Sequence, residues 1–142
     1  MSLNFLSINR LDEYKRDAKL QSTISFRLMW LDEGESMVFV PSGVSFDLDL
    51  YPSTGWIFSF NELFYRDFLD RYPQDYNCAL MAKRSSDYLF IPLGAKLRME
   101  MSELADLLVK ALKEGQSELF LQAYADLILL NANQAYVGIH SK

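Results

Sequence analysis

The chain has 142 residues, 50% of them hydrophobic and 23% charged, with a net charge of −5. This length predicts a single domain over residues 1–142. The acidic excess is concentrated in residues 21–82, where nine acidic residues outnumber three basic ones. An acidic chain gains nothing from counterion release on a phosphate backbone, so we do not expect nucleic acid as a partner.

Cysteine content and hydropathy bear on the compartment. Cys78 is the only cysteine, so no disulfide can form within the chain, and a reducing compartment is expected. The first ten residues have no basic segment ahead of an apolar one, so they do not resemble a secretory signal. No apolar run approaches the ~20 residues that a membrane-spanning helix needs. These features predict a cytoplasmic protein that does not bind membranes.

The first part of the chain predicts a short helix followed by antiparallel strands. Asn9 is a good N-cap for a helix that continues to residue 18. Apolar and polar residues then alternate over 24–30, and a second run over 37–40 follows the turn at 32–35, which predicts a hairpin. Alternation over 44–50 predicts a third strand, so that the strands form a meander.

The middle of the chain, residues 51–76, is rich in aromatic side chains. A short strand is predicted over 56–58. The capping box formed by Ser59 and Glu62 predicts the start of a helix, which ends before Pro73. The face of this helix that packs into the core is marked by a four-residue spacing of Phe60, Phe64 and Phe68.

The last third predicts strands followed by two helices. Strands are expected over 77–82 and 88–91. The segment 97–101 alternates, and is either a further strand or an extended lead-in to a helix capped by Ser102. Gly115 is expected to end that helix.

The final helix, which begins near Ser117, is apolar on almost every side. From residue 119 to 130 only Gln122 and Asp126 are polar. Such a helix must be buried on more than one side, either in the core of a monomer or partly against a second subunit. The residues expected at a dimer interface are Phe120, Tyr124, Leu127 and Ile128.

These elements predict an α+β fold. We expect an antiparallel sheet of about five to seven strands, a range set by the segments above and typical of sheets. The N-terminal helix, the middle helix and the two C-terminal helices are expected to pack on one side of this sheet. No repeat or linker divides the chain.

The sequence contains no catalytic constellation. Its six glycines stand apart, so no phosphate-binding loop is predicted, and His140 and Cys78 are too few soft ligands for a zinc site. Asp47 and Asp49 would project from the same face of a strand and could gather Mg²⁺ with acidic residues of the hairpin. A solvated strand face explains the same pattern. We therefore predict no enzymatic activity, cofactor or metal.

In the order of its elements, the chain resembles the small type III secretion chaperones. Residues 28–40, with LDEG at the turn, look like the first hairpin of that family, and residues 87–112 look like its final strand and last helix. The likeness covers residues 9–113, and the strand near Trp56 and the helix after Ser117 depart from it. The resemblance implies an acidic α+β homodimer that wraps an extended segment of a partner along apolar patches.

The leading prediction is a non-enzymatic binding protein that holds a partner protein as a homodimer. The partner is expected to contact acidic and aromatic residues in the first half of the chain: Asp32, Glu33, Glu35, Asp47, Asp49 and Trp56. One alternative is an immunity or antitoxin protein whose acidic face neutralises a basic toxin, because complementary charges speed association. The other alternative is a small enzyme or ligand binder with a carboxylate site at Asp47 and Asp49.

Overall fold

The computed structural model describes residues 5–17, 25–74 and 88–140. These residues form an α+β fold with one antiparallel sheet and four α-helices. The strands are β1 (Leu6–Arg10), β2 (Phe26–Leu31), β3 (Ser36–Val40), β4 (Gly55–Phe60) and β5 (Leu89–Pro92). The helices are α1 (Leu11–Arg16), α2 (Glu62–Arg71), α3 (Ala95–Lys113) and α4 (Glu118–His140), and a 3₁₀ turn spans Leu48–Leu50.

The strand order in the sheet is β1-β4-β2-β3-β5, and each neighbouring pair is antiparallel. β2 and β3 form the predicted hairpin, with Leu28 opposite Phe39. β4 does not extend a meander, because it lies between β1 and β2 with Phe58 opposite both Ile8 and Leu28. The strand predicted over 88–91 is confirmed as β5, whereas the one over 77–82, which contains the lone cysteine, lies outside the described residues.

One face of the sheet, here called the first face, carries the main core. Large side chains such as Leu28, Trp30 and Phe58 project from this face, and α2, α3 and α4 pack on it. Phe64 and Phe68 of α2 lie in the same cluster, which confirms that their spacing marks the core side of that helix. The strands alternate between two buried faces, so the sheet is covered on both sides.

The opposite, second face carries a smaller apolar cluster. Met29, Val38 and Ile57 project from the strands, and Leu11 and Tyr14 of α1 pack against them. Further cover in the described part of the chain comes from Tyr88 and from the segment 44–51, through Val44, Phe46, Leu48 and Tyr51. The prediction that all helices share one side is therefore wrong for α1.

The N-terminal segment forms a strand before it forms a helix. Asn9, predicted as an N-cap, is a buried residue of β1, and the N-cap position is held by Arg10, which makes no side-chain capping bond. The five residues of β1 pair with β4 along their whole length. This long-range pairing outweighs the weak local preference of Asn9 for a helix start.

The third strand predicted over 44–50 is wrong. This segment crosses the second face and ends in the 3₁₀ turn. Three of its four apolar residues are still turned toward the cluster, since Val44, Phe46 and Leu48 are half-buried while Asp47 and Asp49 are exposed; Leu50 is the exception, at 78% exposed. Alternation therefore indicated which side chains face the core, but it did not indicate that the backbone pairs with another strand.

Two helices begin at other residues than expected. The N-cap of α2 is Asn61, whose Oδ1 accepts a hydrogen bond from the Phe64 amide at 3.0 Å, while Ser59 remains in β4. The segment 97–101, predicted as extended, belongs to α3, and Ser102 lies inside that helix. In both places the tertiary structure overrides a local capping signal. The buried strand β4 continues through Ser59, and the amphipathic helix α3 begins before Ser102.

The connection between α3 and α4 is the one that the sequence predicts. Gly115 has a φ of 65°, a left-handed conformation that glycine adopts without a steric penalty. The Gln116 amide donates to the Ala111 carbonyl at 3.0 Å, and the Gly115 amide donates to the Leu112 carbonyl at 3.3 Å. This is a Schellman motif, so the predicted helix stop at Gly115 is confirmed.

Candidate functional site

The turn between β2 and β3 carries the first group of predicted binding residues. Asp32, Glu33 and Glu35 are exposed there, and the Asp32 amide donates to the Thr54 carbonyl at 3.0 Å. Arg10, at the end of β1, donates to both carboxylate oxygens of Asp32, at 2.8 and 2.6 Å. Asp32 is therefore already held by an ion pair within the chain, while Glu33 and Glu35 face solvent.

Trp56 lies behind this ion pair and not on the surface. Its side chain is buried in the core of the first face. The guanidinium of Arg10 lies over the indole ring, 5.0 Å from the ring centroid, at a distance suited to a cation–π contact. Trp56 is thus a core residue covered by Arg10, and it does not offer a partner the surface that the sequence suggests.

A depression of about 280 Å³ lies beside the ion pair, between the β2–β3 turn and α3. It is lined by Asp32, Arg98, Met99, Ser102, Glu103 and Asp106. Arg98 donates to the Gly34 carbonyl, and Ser102 accepts a hydrogen bond from Trp30 Nε1 at 3.1 Å, so both residues attach α3 to the sheet. The sequence did not indicate this depression, because residues 97–101 were expected to be extended.

Asp32 and Arg10 are both charged at neutral pH. Hydrogen bonds from Arg10 hold the pKa of Asp32 below its ordinary value, against the opposing effect of burial, and the charges of Arg10 and Arg98 add to the lowering. The hydrogen bond to Asp32 likewise raises the pKa of Arg10. Asp32 can therefore attract a cation or accept hydrogen bonds, but it holds no proton to donate at neutral pH.

The second predicted group, Asp47 and Asp49, lies on the 3₁₀ turn and not on a strand. Asp47 Oδ1 accepts a hydrogen bond from the Asp49 amide at 3.0 Å, which is the geometry of a capping residue. A shallow pocket of about 190 Å³ lies beside these residues and is also lined by Lys15, whose Nζ donates to the Tyr51 carbonyl at 2.5 Å. Among the described residues, no group of three or more His, Cys, Asp or Glu side chains is arranged to hold a metal ion.

A continuous exposed apolar surface runs along α4. Leu119 is 73% exposed, Phe120 56% and Leu127 45%, and Ala123 is exposed between them. Their spacing places them on the outer side of the helix, and we call these four residues the α4 stripe. Between residues 119 and 134 the only other exposed residue is Gln134, so this side of the helix carries no charge.

Two of the four residues predicted at a dimer interface belong to the α4 stripe. They are Phe120 and Leu127, whereas Tyr124 is half-buried and Ile128 is fully buried in the core of the first face. Adjacent helix residues point ~100° apart, so Leu127 can face solvent while Ile128 faces the sheet. Ile128 is thus a core residue and not an interface residue of this surface.

A buried ion pair holds the inner side of α4. Arg71, the last residue of α2, donates to both carboxylate oxygens of Asp126 at 2.8 and 2.6 Å, and Asp126 is 2% exposed. Burial raises the pKa of Asp126, and the hydrogen bonds from Arg71 and Tyr72 oppose that rise. The two parallel hydrogen bonds are directional. They therefore tie the inner side of α4 to the C-terminal end of α2.

A scan against protein-family models and searches of curated proteins and solved structures found no match to this chain. The resemblance to type III secretion chaperones therefore stays a prediction. In the part of the chain that the structure describes, no helix combines the length and the apolar character that crossing a bilayer requires.

Proposed function

We propose that the chain is a non-enzymatic protein-binding domain that pairs with a second copy through the α4 stripe and holds a partner protein as that dimer. The observation that carries this proposal is the uncharged stripe itself, in which Leu119, Phe120 and Leu127 are 45–73% exposed. Burying apolar surface stabilises an association by ~25 cal/mol per Å². Contiguous apolar patches on soluble proteins mark interaction sites for this reason.

A second copy of the chain is a suitable occupant of the stripe. In a two-fold dimer each stripe would meet itself, so no charge would be buried although each chain carries −5. Residues 119 to 127 span ~12 Å of helix, and at a width of ~10 Å the stripe offers on the order of 120 Å² per copy against the ~800 Å² of a standard interface. We therefore expect a weak dimer, with a Kd in the micromolar range or above.

Light scattering tests the dimer over about 1 µM to 1 mM protein, a range that brackets weak association. We expect the wild-type mass to rise from one chain toward two chains. The double substitution Phe120→Gln and Leu127→Gln should keep the protein monomeric throughout. Leu63→Gln is the matched control, since Leu63 is 59% exposed on α2 and lies outside the stripe. A wild-type protein that stays monomeric, or a Leu63→Gln variant that dissociates equally, would contradict the proposal.

The charge distribution favours a second candidate, a protein that neutralises a basic partner as immunity and antitoxin proteins do. In residues 25–74 the exposed acidic residues are Asp32, which is paired with Arg10, and Glu33, Glu35, Asp47, Asp49, Glu62, Asp67 and Asp70. Arg66 is the one exposed basic residue in that range. Such a surface attracts cationic partners, and salt screens that attraction.

A synthetic oligolysine peptide is a suitable probe for this second candidate. Its binding should weaken at least about tenfold when salt rises from ~0.02 to ~0.3 M, because the Debye length falls several-fold. Glu33→Gln with Glu35→Gln should reduce the affinity, whereas Arg66→Gln should not. Absence of peptide binding at low salt would remove this candidate and leave the stripe-based proposal untouched.

A further inference from the structure

Two buried polar side chains lie side by side on the second face of the sheet. Arg27 on β2 and Ser59 on β4 are cross-strand partners, and both project from this face because Leu28 and Phe58 beside them project from the other. Arg27 is 7% exposed and Ser59 6%. Arg27 Nε and Ser59 Oγ have no hydrogen-bond partner among the described residues.

The guanidinium of Arg27 also has no countercharge among the described residues. One terminal nitrogen donates to the Val44 carbonyl, and the Tyr14 hydroxyl lies within hydrogen-bonding reach. Burial lowers the pKa of Arg27, yet a guanidinium stays protonated at neutral pH. None of the ion pairs in the described part of the chain includes Arg27. A buried charge without a partner is costly, so natural proteins usually pair such a group.

Together the two side chains form a buried, cationic group of donors. Cross-strand neighbours have Cβ atoms ~5 Å apart, so the unpartnered Nε and hydroxyl can both reach one small ligand. A water molecule would satisfy the hydroxyl but would leave the guanidinium charge uncompensated. An anion would satisfy both donors and the charge. Because both side chains are more than nine-tenths buried, the ligand must be small.

We propose that Arg27 and Ser59 bind a small inorganic anion, of the size of chloride or nitrate, between β2 and β4. The ligand class follows from the two free donors and the positive charge, and its size follows from the cover provided by α1 and the segment 44–51. This site is separate from the α4 stripe, and it does not depend on the proposed function.

Thermal unfolding at constant ionic strength tests this site. Sodium gluconate, whose anion is too bulky to enter, is replaced stepwise by sodium chloride or sodium nitrate. We expect the Tm to rise with the logarithm of the small-anion concentration, by about 9 °C for each hundredfold increase above the Kd. Arg27→Gln and Ser59→Ala should lose most of this rise. Arg66→Gln, which removes an exposed arginine, is the matched control and should retain it.

A Tm that does not depend on the anion, or that rises equally in Arg27→Gln, would overturn the proposal. The first outcome would indicate a water molecule between the two side chains, and the second would indicate a general salt effect. If Arg27→Gln does not fold, a crystal of the wild-type protein soaked in bromide shows whether an anion binds at Arg27 and Ser59. Anomalous scattering at hydrogen-bonding distance from Arg27 Nε supports the site, whereas peaks confined to exposed side chains would mean an adventitious ion only.

Discussion

At the scale of single residues, two arginine–carboxylate pairs share a contact distance but shift their acids in opposite directions. The closest approach is 2.6 Å both for Arg10 with Asp32 and for Arg71 with Asp126. The pKa of Asp32 is lowered because the hydrogen bonds from Arg10 outweigh a modest burial. The pKa of Asp126 is raised because burial outweighs the hydrogen bonds from Arg71. Burial, and not contact distance, therefore decides the direction of the shift.

Substituting Asp32 should reveal a pH-dependent contribution to stability. Its pKa is lowered in the folded protein from the ordinary 3.8, so its contribution is present above that pH and is lost as the pH falls through the folded value. Because the pair is about one-third exposed, solvent screening limits the contribution to about 0.5–1 kcal/mol. Denaturant unfolding of Asp32→Asn should show this loss at pH 7 and a smaller loss at pH 2.5, because the contribution of the carboxylate declines as the pH falls below 3.8 toward the lowered folded pKa.

Asp12→Asn is the matched control for this substitution. It breaks a more exposed pair with Arg16, in which the two side chains are 52% and 75% exposed and 3.5 Å apart. We expect a change in the free energy of unfolding of less than about 0.5 kcal/mol. An equal loss for Asp32→Asn at both pH values would show that packing of the side chain, and not its charge, is what the substitution removes.

At the scale of elements, the sequence predicted periodic segments well and long-range pairing poorly. The hairpin, the strand around Phe58 and both C-terminal helices follow from the spacing of apolar residues. Strand β1 was missed because Asn9 was interpreted as the N-cap of a helix, whereas the segment gains its stability from pairing with β4. The segment 44–50 shows the reverse case, in which a strand pattern occurs without a paired strand.

The two candidate surfaces also differ in how far the sequence predicted them. The α4 stripe was foreseen in part, because an unbroken apolar helix must expose some of its sides when only one side meets the sheet. The depression beside the β2–β3 turn was not foreseen. Its side chains come from α3 and from the turn, and the ion pair beside it requires β1 to lie next to β4. No local pattern in the sequence encodes that neighbourhood.

Two glycines test the helix boundaries. Gly115 has a φ of 65° at the end of α3, so Gly115→Ala should lower the free energy of unfolding by about 1 kcal/mol. Gly138 lies inside α4, and an added Cβ would meet nothing within 4 Å. Gly138→Ala should therefore raise the free energy of unfolding by up to about 1 kcal/mol. Denaturant unfolding measures both variants. If both substitutions changed the free energy of unfolding in the same direction, that result would contradict the end assigned to α3 at Gly115.

At the scale of the whole molecule, the sheet separates a thick helical layer from a thin one. Among the described residues, three helices cover the first face, whereas the second face is covered by the short α1, the segment 44–51 and Tyr88. The α4 stripe lies on the outer surface of the thick layer, and the thin layer covers Arg27 and Ser59. The two proposed sites therefore lie in different layers of the molecule, so a substitution in one should leave the other intact.

The buried pair of Arg71 and Asp126 contributes to stability on the inner side of α4, away from the α4 stripe. Arg71→Met would leave Asp126 buried without a guanidinium, and we expect it to lower the free energy of unfolding by about 3 kcal/mol. Adding Asp126→Leu should restore most of that loss, because an apolar pair needs no countercharge. Denaturant unfolding of the two single variants and the double variant measures this coupling.

The same double variant should keep the dimer Kd of the wild-type protein in light scattering, because the pair lies on the inner side of α4 and the stripe on the outer side. If the double variant is stable but monomeric, the directional hydrogen bonds of the ion pair are needed to present the stripe, and packing alone does not orient α4. If Arg71→Met lowers the free energy of unfolding no more than the double variant does, Asp126 finds another partner or takes up a proton when Arg71 is removed.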